Sequence, residues 1–378
     1  MRPITIDYTP AYQQGAGIGR LVRELVKALA RYDAHTPYQL FVLGAHNPQL
    51  PPEYGANFSL ASTRLSVEWL ARLWHRARIP LPVTVFTGTN RLYHATDFVL
   101  PPLPAHIPSL LTVHDLSFVR VPHAASPRLR AYLEAVVPRS ARRATHILAD
   151  SQASKDDLCE LYGITPEKIT VLLSGVSEFL RPVRDVQVLE SLRVKYALNR
   201  PYMLSVGTVQ PRKNYSRLIQ ALAQLRASGE DVELAIVGGR GWLQDEIERT
   251  LIDTQMRPYV KFLGFVPDAD LPALYSAAHL VAFPSLYEGF GFPVLEGMAC
   301  GVPVLTSNVS SLPEVAGSAA LMVNPLDLDD IVFSLRRLLN DTNLRQDLVQ
   351  RGFEQVKRFT WANSAKSLHN IYQQFAAP

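Results

Sequence analysis

Cysteine is almost missing: the 378 residues hold two, Cys159 and Cys300. Two distant thiols make neither a disulfide framework nor a zinc ligand set, and each is expected as a small buried apolar residue in a reducing cytoplasm. No apolar run reaches the ~18 residues of a spanning helix without a charge or a proline. The start, Met1 to Tyr8, enters a strand-like run without a basic segment and an apolar segment ahead of it, so a secretory leader is not expected. HExxH, paired CxxC and GxSxG are all absent, which leaves zinc and serine hydrolysis without support. Histidines such as His94 and His146 lack metal-ligand spacing, so no metal is expected. Aromatic residues do not interleave with a basic patch, which argues against nucleic acid. No repeat of fixed period occurs.

What is present reads as globular: 47% apolar and 19% charged residues, in a chain long enough for two α/β domains. The net charge of +4 lies in the first half, where residues 1–180 carry 18 Lys/Arg against 14 Asp/Glu. That imbalance suits anionic lipid or an anionic acceptor, or is ordinary scatter. Trp69 and Trp74, beside Arg72, Arg76 and Arg78, fit either a basic amphipathic helix on a membrane surface or an aromatic face packed on the first domain. A peripheral contact at the inner face of the membrane is therefore left open. Strands alternate with helices in both halves, which implies a parallel sheet in each. Ser177 to Val183 breaks the pattern. The expected division is residues 1–180, with a helix over 361–378, and residues 181–360. Parallel sheets place ligand sites at strand carboxyl ends, and two such sheets would frame a cleft.

The richest segment is FPSLYEGFGFPVLEGMACGVPV, Phe283 to Val304. Phe283 ends an apolar strand, Gly289 and Gly291 free the loop, and Pro293 suits a first helical turn. Gly301 followed by Pro303 would stop the helix. Free N–H groups at such a helix start attract phosphate oxygens. Glu296, one turn in, can accept hydrogen bonds from a ribose diol, and Glu288 can hold sugar hydroxyls. The plain alternative for Glu296 is an acidic residue that complements the helix dipole. The run EGFGFPVLE resembles the signature of the family 4 retaining glycosyltransferases, a mannosyltransferase-like group with the GT-B fold of two Rossmann-like domains facing across a cleft. The resemblance implies that Glu288 lies near the donor sugar and Glu296 on the ribose, with backbone near Phe290 and Gly291 meeting the donor.

Other motifs join this reading. GTVQPRKN, Gly207 to Asn214, follows a buried strand; Arg212 and Lys213 in that loop can neutralise a pyrophosphate as charge develops. The family has an Arg and a Lys here, although Thr208 stands where many members carry an Arg. LLTVHDLSF, Leu110 to Phe118, puts His114 at a strand end, where it can bond sugar hydroxyls, act as a general base, or serve structure alone. The resemblance implies contact with the donor sugar and the reacting centre. GAGIGR, Gly15 to Arg20, is a poor match to a dinucleotide fingerprint; the resemblance makes it a glycine loop on the acceptor side, with Gly17 as the candidate. GFVPDADLPAL resembles the loop that meets the nucleobase, through the Val266 backbone. SSLPEVAG, Ser310 to Gly317, resembles a late loop of the family without a derivable role.

The expectation is a retaining hexosyltransferase. It would carry a hexose, with mannose among the candidates, from a GDP- or UDP-sugar to a glycan or lipid-linked acceptor, with no cofactor and no metal. A sugar-nucleotide epimerase of the same fold and a non-catalytic nucleotide-sugar binder are the alternatives.

Overall fold

The computed structural model describes residues 2–15, 17–77 and 79–376. Ala16, in the glycine loop, and Arg78, in the basic stretch, lie outside the described residues. Two compact units divide the chain. One takes the residues up to Leu116, Ala131–Gly175 and the chain from Thr360; the other takes Ser117–Arg130 and Val176–Phe359. The break in the chain pattern thus falls at Gly175, slightly before the expected linker. A Cβ at Gly175 would sit 2.2 Å from the Trp361 nitrogen, so only glycine lets the last helix return at that point.

The first unit is a seven-stranded sheet. Its strands are β1 (Ile4–Asp7), β2 (Tyr38–Leu43), β3 (Phe58–Thr63), β4 (Leu92–Ala95), β5 (Ser109–Val113), β6 (His146–Ala149) and β7 (Ile169–Val171). They lie in the order β3-β2-β1-β4-β5-β6-β7, and every pairing is parallel. The central strands are buried end to end, as sheets with helices on both faces require. The helix Ile18–Tyr32 turns Leu21, Val22, Leu25, Val26 and Leu29 inward. The closing helix Trp361–Phe375 packs beside it, and Tyr372 Oη sits 2.7 Å from Nδ1 of His94 on β4.

The second unit is a six-stranded sheet: β8 (Tyr202–Val206), β9 (Glu233–Val237), β10 (Val260–Gly264), β11 (Leu280–Phe283), β12 (Val304–Ser307) and β13 (Ala320–Val323). The order is β10-β9-β8-β11-β12-β13, again parallel throughout. Leu218, Ile219, Leu222 and Leu225 from the helix Tyr215–Ala227 meet Ile331, Leu335 and Leu338 in one core cluster. In each unit the strand order reverses once, between β1 and β4 and between β8 and β11. Ligands of open α/β sheets bind outside the carboxyl ends at such a reversal.

The stretch Val67–Arg76 is helical, and Ser66 accepts a hydrogen bond from the Trp69 N–H. Leu70 and Trp74 are buried, while Trp69 is 48% exposed beside exposed Arg72 and Arg76. One aromatic therefore packs and the other faces solvent. Among the described residues, no helix is long and apolar enough to cross a membrane.

Candidate functional site

The loops after β8 and β11 flank the reversal point of the second sheet, and their side chains meet there. After β8 the chain turns at Gly207. A Cβ at that position would lie 2.8 Å from Lys213 Cε, so glycine clears the path of the lysine stem. A short turn over Pro211–Lys213 follows, and Asn214 takes the left-handed conformation, with φ of 61°. Its buried Nδ2 donates to the Pro284 and Pro325 carbonyls at 3.0 and 2.7 Å. One asparagine thus ties the loops after β8, β11 and β13 together.

Arg212 and Lys213 converge on Glu288. Arg212 Nη1 lies 2.5 Å from Glu288 Oε2 and 2.7 Å from the Tyr287 carbonyl. Lys213 Nζ lies 2.6 Å from Glu288 Oε1 and 4.7 Å from the centre of the Phe283 ring. The lysine and the glutamate are buried, and the arginine is partly so. Burial alone would raise the Glu288 pKa. The neighbouring Arg212 and Lys213 charges outweigh it and hold the carboxyl below its ordinary range.

The serines of the loop after β12 complete the frame. Ser310 Oγ accepts from the Glu288 N–H at 2.9 Å. Ser311 Oγ donates to the carbonyls of Glu288 and Phe290 at 2.9 and 2.8 Å. The helix Phe292–Ala299 then starts from Gly291, whose φ is 115°. A Cβ there would also press on Leu312. Phe290 is buried, its ring edge-on to Phe292 and Phe359. The helix ends at Cys300, and Gly301 follows with φ of 73°.

Glu296 is placed differently from Glu288. Its Oε2 accepts from Tyr275 Oη at 2.6 Å, and both residues are buried. The structure therefore joins Arg212, Lys213 and Glu288 directly and gives Glu296 a separate partner, Tyr275. Val266, just beyond β10, is buried. Cys300 is a buried free thiol, pushed up to about 12 by burial and by nearby Glu296, which makes it unreactive; Cys159 is half-buried and free.

Gly17 and His114 belong to the first unit. Gly17, with φ of 57°, caps the helix Ile18–Tyr32. The Arg23 guanidinium holds the preceding loop through the carbonyls of Ala11, Gln14 and Gly15. His114 follows β5 and is buried. Its Nδ1 lies 2.8 Å from Asp150 Oδ2 and its Nε2 lies 2.9 Å from the Thr96 carbonyl. Both ring nitrogens are therefore engaged by the protein itself. Among the described residues, no group of three or more His, Cys, Asp or Glu side chains is placed to hold a metal ion.

Asn214, Tyr275, Ser310, Ser311 and Asp150 were not singled out from the sequence as site residues. Ser310 and Ser311 did lie in a loop marked for its resemblance. Asp150 reads from the sequence as a candidate helix cap, a role that Ser151 takes in the structure.

The chain is similar to known proteins along most of its length. A family model described as Glycosyl transferases group 1 matches residues 190–355, and one described as Glycosyltransferase Family 4 matches residues 15–178. The chain is 33% identical over 373 residues to O-antigen chain mannosyltransferase B of Escherichia coli, covering 94% of this chain and 96% of that one. It is 27% identical to O-antigen chain mannosyltransferase RfbU of Salmonella typhimurium, covering 84% and 83%. Among solved structures, a sucrose-phosphate synthase from Thermosynechococcus elongatus superposes with a TM-score of 0.76 at 21% identity, over 99% of both chains. An Anabaena protein in complex with UDP-glucose does so with a TM-score of 0.73 at 19% identity, over 99% of this chain and 100% of that one. These two show a shared fold.

Replacing Glu288 by Gln should leave two buried cations without their carboxylate and cost about 3–5 kcal/mol at neutral pH. The stabilising effect of a lowered carboxyl is present above its ordinary value of 4.5 and is lost as pH falls through the lowered folded value. Thermal melts from pH 7 to pH 3 should therefore show wild type and variant converging in acid. Equal melting temperatures at pH 7 would contradict the ion-pair reading.

Proposed function

Because the chain belongs to the family 4 glycosyltransferases and is a sugar-transferring enzyme with two parallel-sheet domains of the GT-B class, we propose that it moves a hexose, mannose first among candidates, from a nucleoside-diphosphate sugar to a glycan or lipid-linked glycan with retention at the anomeric carbon. One observation carries this reading: two cations meet one carboxylate at the reversal point of the second sheet, beside a helix start. A diphosphate is a stronger competitor for Arg212 and Lys213 than a single carboxylate, because it brings more charge and more acceptor oxygens. Its oxygens would take the two cations and the backbone N–H groups near Gly291. Glu288, released in part, would turn to the hydroxyls of the donor sugar. Glu296, held by Tyr275, would take the ribose diol. The Val266 backbone would meet the base.

In the transfer, the bond from the anomeric carbon to the phosphate oxygen breaks and a bond to the acceptor oxygen forms. The acceptor's hydroxyl proton leaves with the diphosphate. Lys213 and Arg212 stabilise the charge that gathers on the leaving group. On this reading no metal is needed for that task. The mannosyltransferase relatives support mannose as the sugar to try first, and the UDP-glucose-bound fold neighbour supports including UDP-sugars beside GDP-sugars in the panel.

A panel of nucleotide sugars should raise the melting temperature in the presence of the true donor, since ligand binding stabilises the folded state. With that donor and an acceptor, Lys213→Ala should lower turnover by on the order of 10²-fold. Unchanged turnover would remove the lysine from the reaction. Retention is read from the anomeric configuration of the product by NMR, and an inverted product would overturn it. The exposed Trp69, Arg72 and Arg76 give the first unit a surface suited to an acceptor carried on anionic lipid. Co-sedimentation with anionic vesicles should fall when Trp69 and both arginines become alanine, whereas equal binding would exclude that surface.

A further inference from the structure

Two buried histidines stand close together in the first sheet, His94 on β4 and His114 just after β5, and their surroundings set them apart. Among the described residues the ring nitrogens of His94 meet hydroxyls, Tyr372 Oη at 2.7 Å and Thr112 Oγ1 at 2.8 Å. Hydroxyls can donate or accept, so a neutral ring satisfies both contacts. Burial, with the charge of His114 nearby, pushes His94 down to about 3, which keeps it uncharged. His114 has no such freedom. The Thr96 carbonyl can only accept, so Nε2 must carry a proton. The Asp150 carboxylate faces Nδ1 at 2.8 Å, and a second proton lies between them. Burial raises the Asp150 carboxyl, but imidazole starts as the stronger base and the ring is itself lifted by Asp150, so that proton resides on the ring.

We propose that Asp150 is a positioning residue that keeps both ring nitrogens of His114 protonated, so that His114 serves sugar transfer as a fixed imidazolium and not as the base that takes the acceptor's proton. This rests on the transferase reading given above. It assigns Asp150 a task that the hydrogen bonds define. The ring bridges the carboxyl ends of three adjacent strands: the carbonyl after β4, its own position after β5, and the carboxylate after β6. Ser154 Oγ donates to the His114 carbonyl at 2.9 Å, which fixes the backbone as well. The ring of Phe98 stands edge-on to it, with centres 5.3 Å apart. The titratable groups around the imidazolium are Asp150 after β6, Asp97 after β4, Asp115 next in the chain, and His94 on β4, which is neutral. Burial alone would strip a proton from His114. The Asp150 charge and hydrogen bond, helped by Asp97, override it and lift the ring to about 9. A group raised in this way keeps its proton through neutral pH and loses it only as pH climbs past the raised value.

The test is the pH profile of transfer by wild type and Asp150→Asn. Wild type should be level through pH 6–8 and fall on the alkaline side near pH 9. With the carboxylate gone, burial should dominate, and that fall should move about 2.5–3.5 pH units lower. At pH 7.5 the variant should then be about 10–100-fold slower, with much of the loss recovered near pH 6. A loss that is uniform at every pH, with the inflection in place, would overturn the proposal and leave Asp150 a merely structural residue. A second measurement needs no activity and does not depend on the Asp150 variant. In 15N-histidine-labelled wild type, with the His114 signals assigned by their loss in His114→Gln, both ring nitrogens should show protonated shifts at pH 7.5. A neutral tautomer there would overturn the proposal. If no donor gives transfer while the NMR shows an imidazolium, the transferase reading has failed and the assignment of the His114–Asp150 pair stands.

Discussion

Everything at the second sheet turns on one buried carboxylate shared by two cations. Glu288 is bound by Arg212 on one oxygen and by Lys213 on the other. Burying three charges is costly unless each meets a partner at hydrogen-bond distance. The fold provides those distances by fastening the loops to one another. Asn214 reaches the loops after β11 and β13, while Ser310 and Ser311 hold the backbone at Glu288 and Phe290. Glycines at 207 and 291 clear the space for Lys213 and Leu312. The frame is rigid where the charges are, which a site for a charged ligand requires.

Much of this was legible beforehand, because the signals were local. Each strand that leads into a site loop reads as a short apolar run, and Pro293 and Gly301 mark the ends of the helix Phe292–Ala299 at the expected places. β3 is hard to read from the sequence, because Phe58–Thr63 alternates weakly and mixes buried with exposed positions. β13 is equally hard to read, because its four residues carry little period. The helix Pro127–Arg143 contains Pro138, which reads as a breaker, yet tertiary packing keeps it helical.

The site was harder to read, because its partners are distant in the chain. Glu288 and Lys213 are 75 residues apart, and no spacing rule joins them. The residue types pointed to anion binding, but the carboxylate that holds the cations together was assigned to the sugar alone. Tyr275 against Glu296 and Asp150 against His114 are of the same kind, one recognisable residue and one partner supplied by topology. The histidine shows the consequence most clearly. A strand-end His can be base, ligand or structural element, and only its two acceptors decide its charge.

The account predicts an exchange of partners: a nucleoside diphosphate takes the cations that Glu288 holds. A crystal structure of the protein soaked with GDP or UDP tests this most directly. The diphosphate should lie within hydrogen-bond distance of Lys213 Nζ and of the N–H groups around Gly291, with the Glu288 contacts loosened. A nucleotide bound elsewhere, with Arg212 and Lys213 still closed on Glu288, would contradict it.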